Sequence, residues 1–216
     1  MKNPCLLLLG LAVFVFHTVL AADAPVNRHY PVNTPPLRQN HFVSLPLGAI
    51  KPAGWLQDQL QVQASGLTGF LDEFWPDLLN SAWKGKNGEG WERGPYYLDG
   101  LVPLAYLLDD PRLKEKSQAY LNWILTSGRL DGWFGPAKNK DRWPLAVAMK
   151  VLTQYYEATR DPRALALLKN YVNYAATAKF KKNHAKNLNN SLLKHLHVKY
   201  VNLRPISAKL LKPKLN

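Results

Sequence analysis

Asp109-Asp110-Pro111-Arg112-Leu113 and Arg160-Asp161-Pro162-Arg163-Ala164 are two copies of one helix start, 51 residues apart from Asp110 to Asp161, and the fold class follows from them. In each copy the Asp offers a side-chain oxygen as N-cap. The Pro suits the first helical position, where an N–H would have no intrahelical partner. After the first copy, Leu113, Ala119, Tyr120, Trp123 and Ile124 return at helical spacing. Before it, Tyr96 to Leu108 carries Leu98, Leu101, Val102, Ala105 and Leu108 on one face, and Pro103 within that stretch predicts a kink. The same offset sets Leu101 on Leu152, Tyr120 on Tyr171, Leu121 on Val172 and Trp123 on Tyr174. A helix, Asp-Pro-Arg, helix unit used twice predicts stacked αα-hairpins, none able to bury its apolar face alone. The class is all-α, and such hairpins set in a circle form an α/α toroid.

Between the copies lies Ser127 to Asp141, a loop rich in Gly, Pro and Asp that contains Asp131-Gly132-Trp133-Phe134-Gly135-Pro136. On the N-terminal side, Trp55, Leu56, Leu60, Val62, Leu67 and Leu71 suit an amphipathic helix weakened near Gly66 and Gly69, with Trp55 and Trp123 expected in the core. Asn27 to Pro46 is rich in Pro and Asn without periodicity and reads as an extended arm.

The two ends are of another kind. Lys2, an apolar run from Leu6 to Phe16 and the small-residue close Ala21-Ala22 form a secretory signal peptide, cleaved after one of those alanines. The run is shorter than the ~20 residues that span a bilayer, so no transmembrane anchor is expected. Cys5, the only cysteine, falls inside this leader, which leaves the mature chain without disulfides, a thiol nucleophile or a thiolate metal site. From Lys179 to Asn216 there are nine Lys, one Arg, six Asn and no acid, so this tail carries +10 of the net charge of +13. Residues 22–178 are nearly neutral, and a folded nucleic-acid-binding surface is not expected. The expected organisation is signal peptide 1–21, arm 22–46, helical domain 47–178 and basic tail 179–216. The Lys and Asn excess resembles translation of AT-rich sequence out of frame or through an intron, so the tail is expected to be foreign to the domain.

The chemistry-bearing residues gather in loops. All seven Trp lie between Trp55 and Trp143, and Trp75, Trp83, Trp91, Trp133 and Trp143 fall in or beside loops. Loop aromatics mixed with carboxylates suit a carbohydrate site: Trp faces stack on sugar C–H surfaces and carboxylates accept from hydroxyls. Trp91, Glu92, Tyr96, Asp99 and Trp133 are the candidate substrate-binding residues. Each has a plainer reading. Glu92 with Arg93 can be an ion pair, Asp99 can be a carboxylate satisfied by a structural partner, and Trp133 and Trp143 can be hairpin packing. Asp72, Asp77 and Glu89 suit caps or solvated charges. No Gly-rich phosphate loop, nucleophile elbow or paired-His metal spacing occurs before the tail, where His195 and His197 are read as a chance pairing. No catalytic acid/base pair is assigned and no metal ligand is found.

The strings Gly54-Trp55-Leu56-Gln57-Asp58-Gln59-Leu60, Leu71-Asp72-Glu73-Phe74-Trp75-Pro76-Asp77, Trp91-Glu92-Arg93-Gly94-Pro95-Tyr96, Leu98-Asp99-Gly100-Leu101-Val102-Pro103-Leu104-Ala105-Tyr106-Leu107 and Tyr155-Tyr156-Glu157-Ala158-Thr159-Arg160-Asp161-Pro162-Arg163 resemble the N-terminal part of glycoside hydrolase family 127. These are β-L-arabinofuranosidase-like enzymes, and the resemblance runs from about Leu45 to Tyr174. It implies an α/α six-hairpin barrel, retaining hydrolysis and arabinose-containing or other plant-type glycans as partners. In characterised members it also implies a cysteine nucleophile near a zinc ion and a glutamate acid/base, all downstream of the matched region. No cofactor is therefore expected in this chain.

Twelve barrel helices with short connections need on the order of 200 residues. An incomplete, open toroid would expose apolar faces, which predicts marginal stability, aggregation or a partner. The expected function is that of a truncated, secreted member of the family, inactive alone. The alternatives are a secreted glycan-binding protein with a cationic arm, or another six-hairpin glycosidase such as an unsaturated glucuronyl hydrolase. Oligomeric state is not fixed by these features.

Overall fold

The two Asp-Pro-Arg copies each open a helix in the computed structural model, which describes residues 38 and 41–177. In chain order the helices are α1 (Trp55–Ser65), α2 (Leu67–Phe74), α3 (Pro76–Leu79), a 3-10 turn (Ala82–Lys84), α4 (Arg93–Leu108), α5 (Pro111–Thr126), α6 (Trp143–Thr159) and α7 (Pro162–Thr177). No strand occurs among the described residues, so the chain is all-α there. The stretch expected to be a signal peptide, most of the expected arm and the basic tail with its His195 and His197 lie outside them.

The repeat holds at the level of single residues. The limits of α5 and α7 differ by 51 at both ends, and α4 and α6 end at Leu108 and Thr159, on the same offset. The residues that follow, Asp109 and Arg160, both turn left-handed, at φ 58° and 60°. The buried residues Leu113, Ser117, Tyr120, Leu121 and Ile124 of α5 map onto Ala164, Leu168, Tyr171, Val172 and Ala175 of α7, all buried. Packing follows this register: α4 lies on α6 and α5 on α7, while α4 meets α5 and α6 meets α7. Leu98, Leu101, Leu121, Leu152 and Leu168 are fully enclosed at these contacts. Each such side chain contributes about 1.5–3 kcal/mol by leaving water. Pro103 sits inside α4, which continues past it to Leu108.

Equivalent arginines have taken different work. Arg112 donates from Nη1 to Gly69 O at 3.0 Å and from Nη2 to Ala64 O at 2.9 Å, clasping the corner where α1 gives way to α2 at Gly66. Arg163 instead folds back on Asp161, with Nη2 to Oδ2 at 2.7 Å, and holds that carboxyl below the ordinary carboxylate range. Asp110 and Asp161 cap as expected, accepting from Leu113 N at 3.1 Å and Arg163 N at 2.9 Å.

One expectation fails in α1. Trp55 is 72% exposed rather than in the core. The helix reaches the body of the protein through Leu60 and Ala64, one turn apart, and Trp55 is not on that side. Val62, Leu67 and Phe74 are also exposed, so α1 and α2 carry an uncovered apolar face. Trp123, by contrast, is partly buried against the core.

A polar cluster ties α2 to α4 and α5. Lys116 Nζ lies 2.8 Å from Asp72 Oδ1, with the two side chains only 14% and 12% exposed, and Tyr97 donates its hydroxyl to the same oxygen at 3.0 Å. Burial, and then the Asp72 charge, push the Tyr97 phenol up.

The buried Tyr171 and the half-buried Tyr106 are expected to make stability fall in alkali. Burial pushes the Tyr171 phenol up to about 12, and burial does the same to Tyr106. The unfolded chain releases these protons near pH 10. Their contribution is therefore complete below about pH 10 and is lost as pH rises towards 12. Thermal melts at increasing pH above about 10 should show a falling midpoint, and Tyr171→Phe should shallow that fall. An unchanged slope in the variant would contradict the assignment.

Candidate functional site

Where α4 and α6 lie side by side, each keeps a stripe of residues out of the core. On α4 the stripe holds Tyr96, Asp99 and Gly100; on α6 it holds Trp143, Val147, Lys150 and Gln154. Asp99 and Gly100 lie three and four positions after Tyr96, and the α6 positions fall three or four apart, so each set shares one face of its helix. Asp99 accepts from Lys150 Nζ at 2.8 Å and from Gln154 Nε2 at 3.3 Å. Asp99 and Lys150 are themselves 51 residues apart, so the pair joins equivalent positions of the two repeats. This is the structural partner that a carboxylate on an apolar helix requires.

The loops before α4 and α6 close one end of this face. Trp83 is fully buried at their centre and donates its indole N–H to Trp91 O at 2.9 Å. Its ring meets Trp123 edge-on, with centroids 6.5 Å apart. Gly135 has φ +88°, and a Cβ there would come within 2.7 Å of the Trp83 ring, so both backbone conformation and space demand glycine. Trp91 itself is 49% exposed, yet its polar groups are all held. Its backbone N–H donates to Glu89 Oε1 at 2.6 Å and its indole N–H to Asp141 Oδ2 at 2.9 Å. The other oxygen of Asp141 accepts from Trp143 N at 3.0 Å, beside a second exposed Trp. Three atoms on these loops, Glu89 Oε2, Trp133 Nε1 and Asn139 Nδ2, are buried without a hydrogen-bond partner, one an acceptor and two donors.

The sequence candidates are thus placed in two groups. Trp91, Glu92, Tyr96 and Asp99 lie at or below the start of α4, with Trp91 and Tyr96 exposed and Glu92 and Asp99 half-buried. Glu92 takes the N-cap position without capping through its side chain. It is also not the partner of Arg93, which pairs with Asp77 and lies 5.3 Å from the centre of the Trp75 ring. Trp133 is elsewhere: only 5% exposed, it packs edge-on against Tyr171 and Tyr174, with ring centroids 6.0 and 5.5 Å away. Of its two readings, its surroundings match helix packing.

Asp141, Lys150 and Gln154 were not among the candidates. Adding the repeat offset to Asp99 points to Lys150, and an Asp two residues before Trp143-Pro144 is a local cap signal. The reach from Asp141 to Trp91 is long-range and has no local signal.

Among the described residues no group of three or more His, Cys, Asp or Glu side chains is placed to hold a metal ion, and the chain's single cysteine is Cys5. No helix among them is long and apolar enough to cross a membrane. Compared with known proteins, the chain matches no family model, no curated protein and no solved structure.

Proposed function

We propose that this chain is a secreted member of the β-L-arabinofuranosidase-like glycoside hydrolase family 127 that carries part of the α/α six-hairpin toroid. It binds carbohydrate on the exposed α4/α6 face and does not hydrolyse it alone. The observation that supports this most is the residue-level repeat. Two helix pairs, α4–α5 and α6–α7, stack in register, as neighbouring hairpins of such a toroid do. In that arrangement α4 and α6 are inner helices, and their exposed stripe with Tyr96, Asp99, Trp143 and Lys150 faces the lumen. Trp91 and Glu92 then stand at its mouth. The uncovered apolar face of α1 and α2 is what an open toroid leaves without a neighbour.

Hydrolysis in the family uses a thiolate and a zinc site, and the described residues include no cysteine and no group placed to hold a metal ion, so the role proposed for them is recognition. Incubated with a nitrophenyl β-L-arabinofuranoside, the purified chain is expected to release no nitrophenol. In native gels containing arabinan it is expected to be retarded, and raising the salt should not abolish the retardation. Loss of retardation in salt would favour the alternative, a binding protein that works through its cationic tail. Migration unaffected by arabinan would sink the carbohydrate reading for this sugar.

A further inference from the structure

Asp141 links the two exposed tryptophans of the mouth through a single carboxylate. One oxygen accepts from the Trp91 indole and the other from the Trp143 backbone. Trp91 is further held by Glu89 at its N–H and by Trp83 at its carbonyl. A half-exposed Trp normally keeps rotamer freedom that a ligand must then quench. Here the ring carries one restraint, the indole N–H bond to Asp141, although half of the residue remains in water. Nor is Trp91 being used to fill the core, since its indole N–H is spent on a residue 50 positions away in another loop.

We infer that Asp141 is a positioning residue: it holds the Trp91 ring through the indole N–H and the start of α6 through the Trp143 backbone N–H, and the exposed faces of Trp91 and Trp143 there form the platform that stacks on the C–H face of a neutral sugar ring. This rests on the carbohydrate reading above and adds to it the place of contact and the residue that sets it. The chemistry is apolar contact at the ring face with hydroxyls turned outward, which rigid aromatic side chains provide at low entropic cost. The carboxylates of Glu89 and Asp141 bond Trp91 directly, which suits an uncharged sugar better than an acidic one.

The test uses the full chain labelled with 5-fluorotryptophan, with the Trp91 resonance assigned from Trp91→Phe. Arabino-oligosaccharide and xylo-oligosaccharide are the two probes. Sugar should shift the Trp91 resonance of the unaltered chain. Asp141→Ala, which loses both acceptors, should broaden that resonance and weaken binding by about tenfold. Asp141→Asn keeps one acceptor oxygen and should fall between. Thermal melts identify any variant that fails to fold, and Trp143→Ala then serves as the second variant, with a similar weakening expected. A shift by xylo-oligosaccharide alone, sensitive to Asp141, supports the platform and overturns only the arabinose assignment. Binding that leaves the Trp91 resonance unmoved, or that survives Asp141→Ala and Trp143→Ala undiminished, overturns the platform while the carbohydrate reading stands. Failure of both probes to bind overturns both.

Discussion

Trp83→Ala is expected to lower the stability of the chain by about 3–5 kcal/mol, the range for removing a large aromatic side chain from a core. That is a large share of the 5–15 kcal/mol that holds a typical domain together. Trp83 sits at the top of the range for two reasons. It is fully enclosed, and several backbone segments are shaped around it: a Cβ on Gly94 would come within 2.8 Å of its Cδ1, and one on Gly135 within 2.7 Å of its Cη2. Backbone this close to a ring cannot readily collapse into the space the ring vacates. The Trp91 carbonyl would also lose its donor. Urea unfolding is the measurement, with a lower midpoint and little change in slope expected. A loss under ~1 kcal/mol would show that the loops before α4 and α6 are organised by something else.

The second large effect is expected at Lys116. Lys116→Met should cost about 3 kcal/mol, because it leaves Asp72, 12% exposed, without the cation bonded to it, beside the Tyr97 hydroxyl and with only the charge of Lys84 near. The figure is placed at the low end for a broken buried pair because Glu73, the other partner of Lys116, is 54% exposed and stays hydrated. The sharper form of the experiment is a double-mutant cycle. Adding Asp72→Asn to Lys116→Met removes the stranded charge and should restore part of the loss, whereas strictly additive costs would mean that the two residues act independently.

What could be read from the sequence was local. Asp110 and Asp161 announce helices because an N-cap and the proline after it act within one turn, and the 51-residue offset is no more than that signal found twice. The placement of Asp99 beside Lys150 was within reach of the same offset. What could not be read depends on partners distant in the chain. Trp55 has the apolarity of a core residue, but core membership needs a neighbour, and α1 presents Leu60 and Ala64 instead. Trp83 and Trp133, in loops, have the look of ligand contacts. They are buried because Gly85, Gly94, Gly132 and Gly135 allow backbone and neighbouring rings to close around them. Trp91 is held by an acid 50 positions on, which no spacing rule reports.

The register between the two helix pairs has one more consequence. Because α5 and α7 start from the same Asp-Pro turn and the left-handed residues Asp109 and Arg160 precede those turns at equal offset, the chain is modular with a unit of 51 residues. An insertion or excision of one whole unit between Asp109 and Asp161 keeps every cap, turn and helix length, while one of a few residues inside a helix turns its apolar face off its neighbour. The price of such splicing is confined to side chains that have become complementary across the units. Foremost among them is Asp99, whose partner Lys150 lies within the unit and is lost with it on excision.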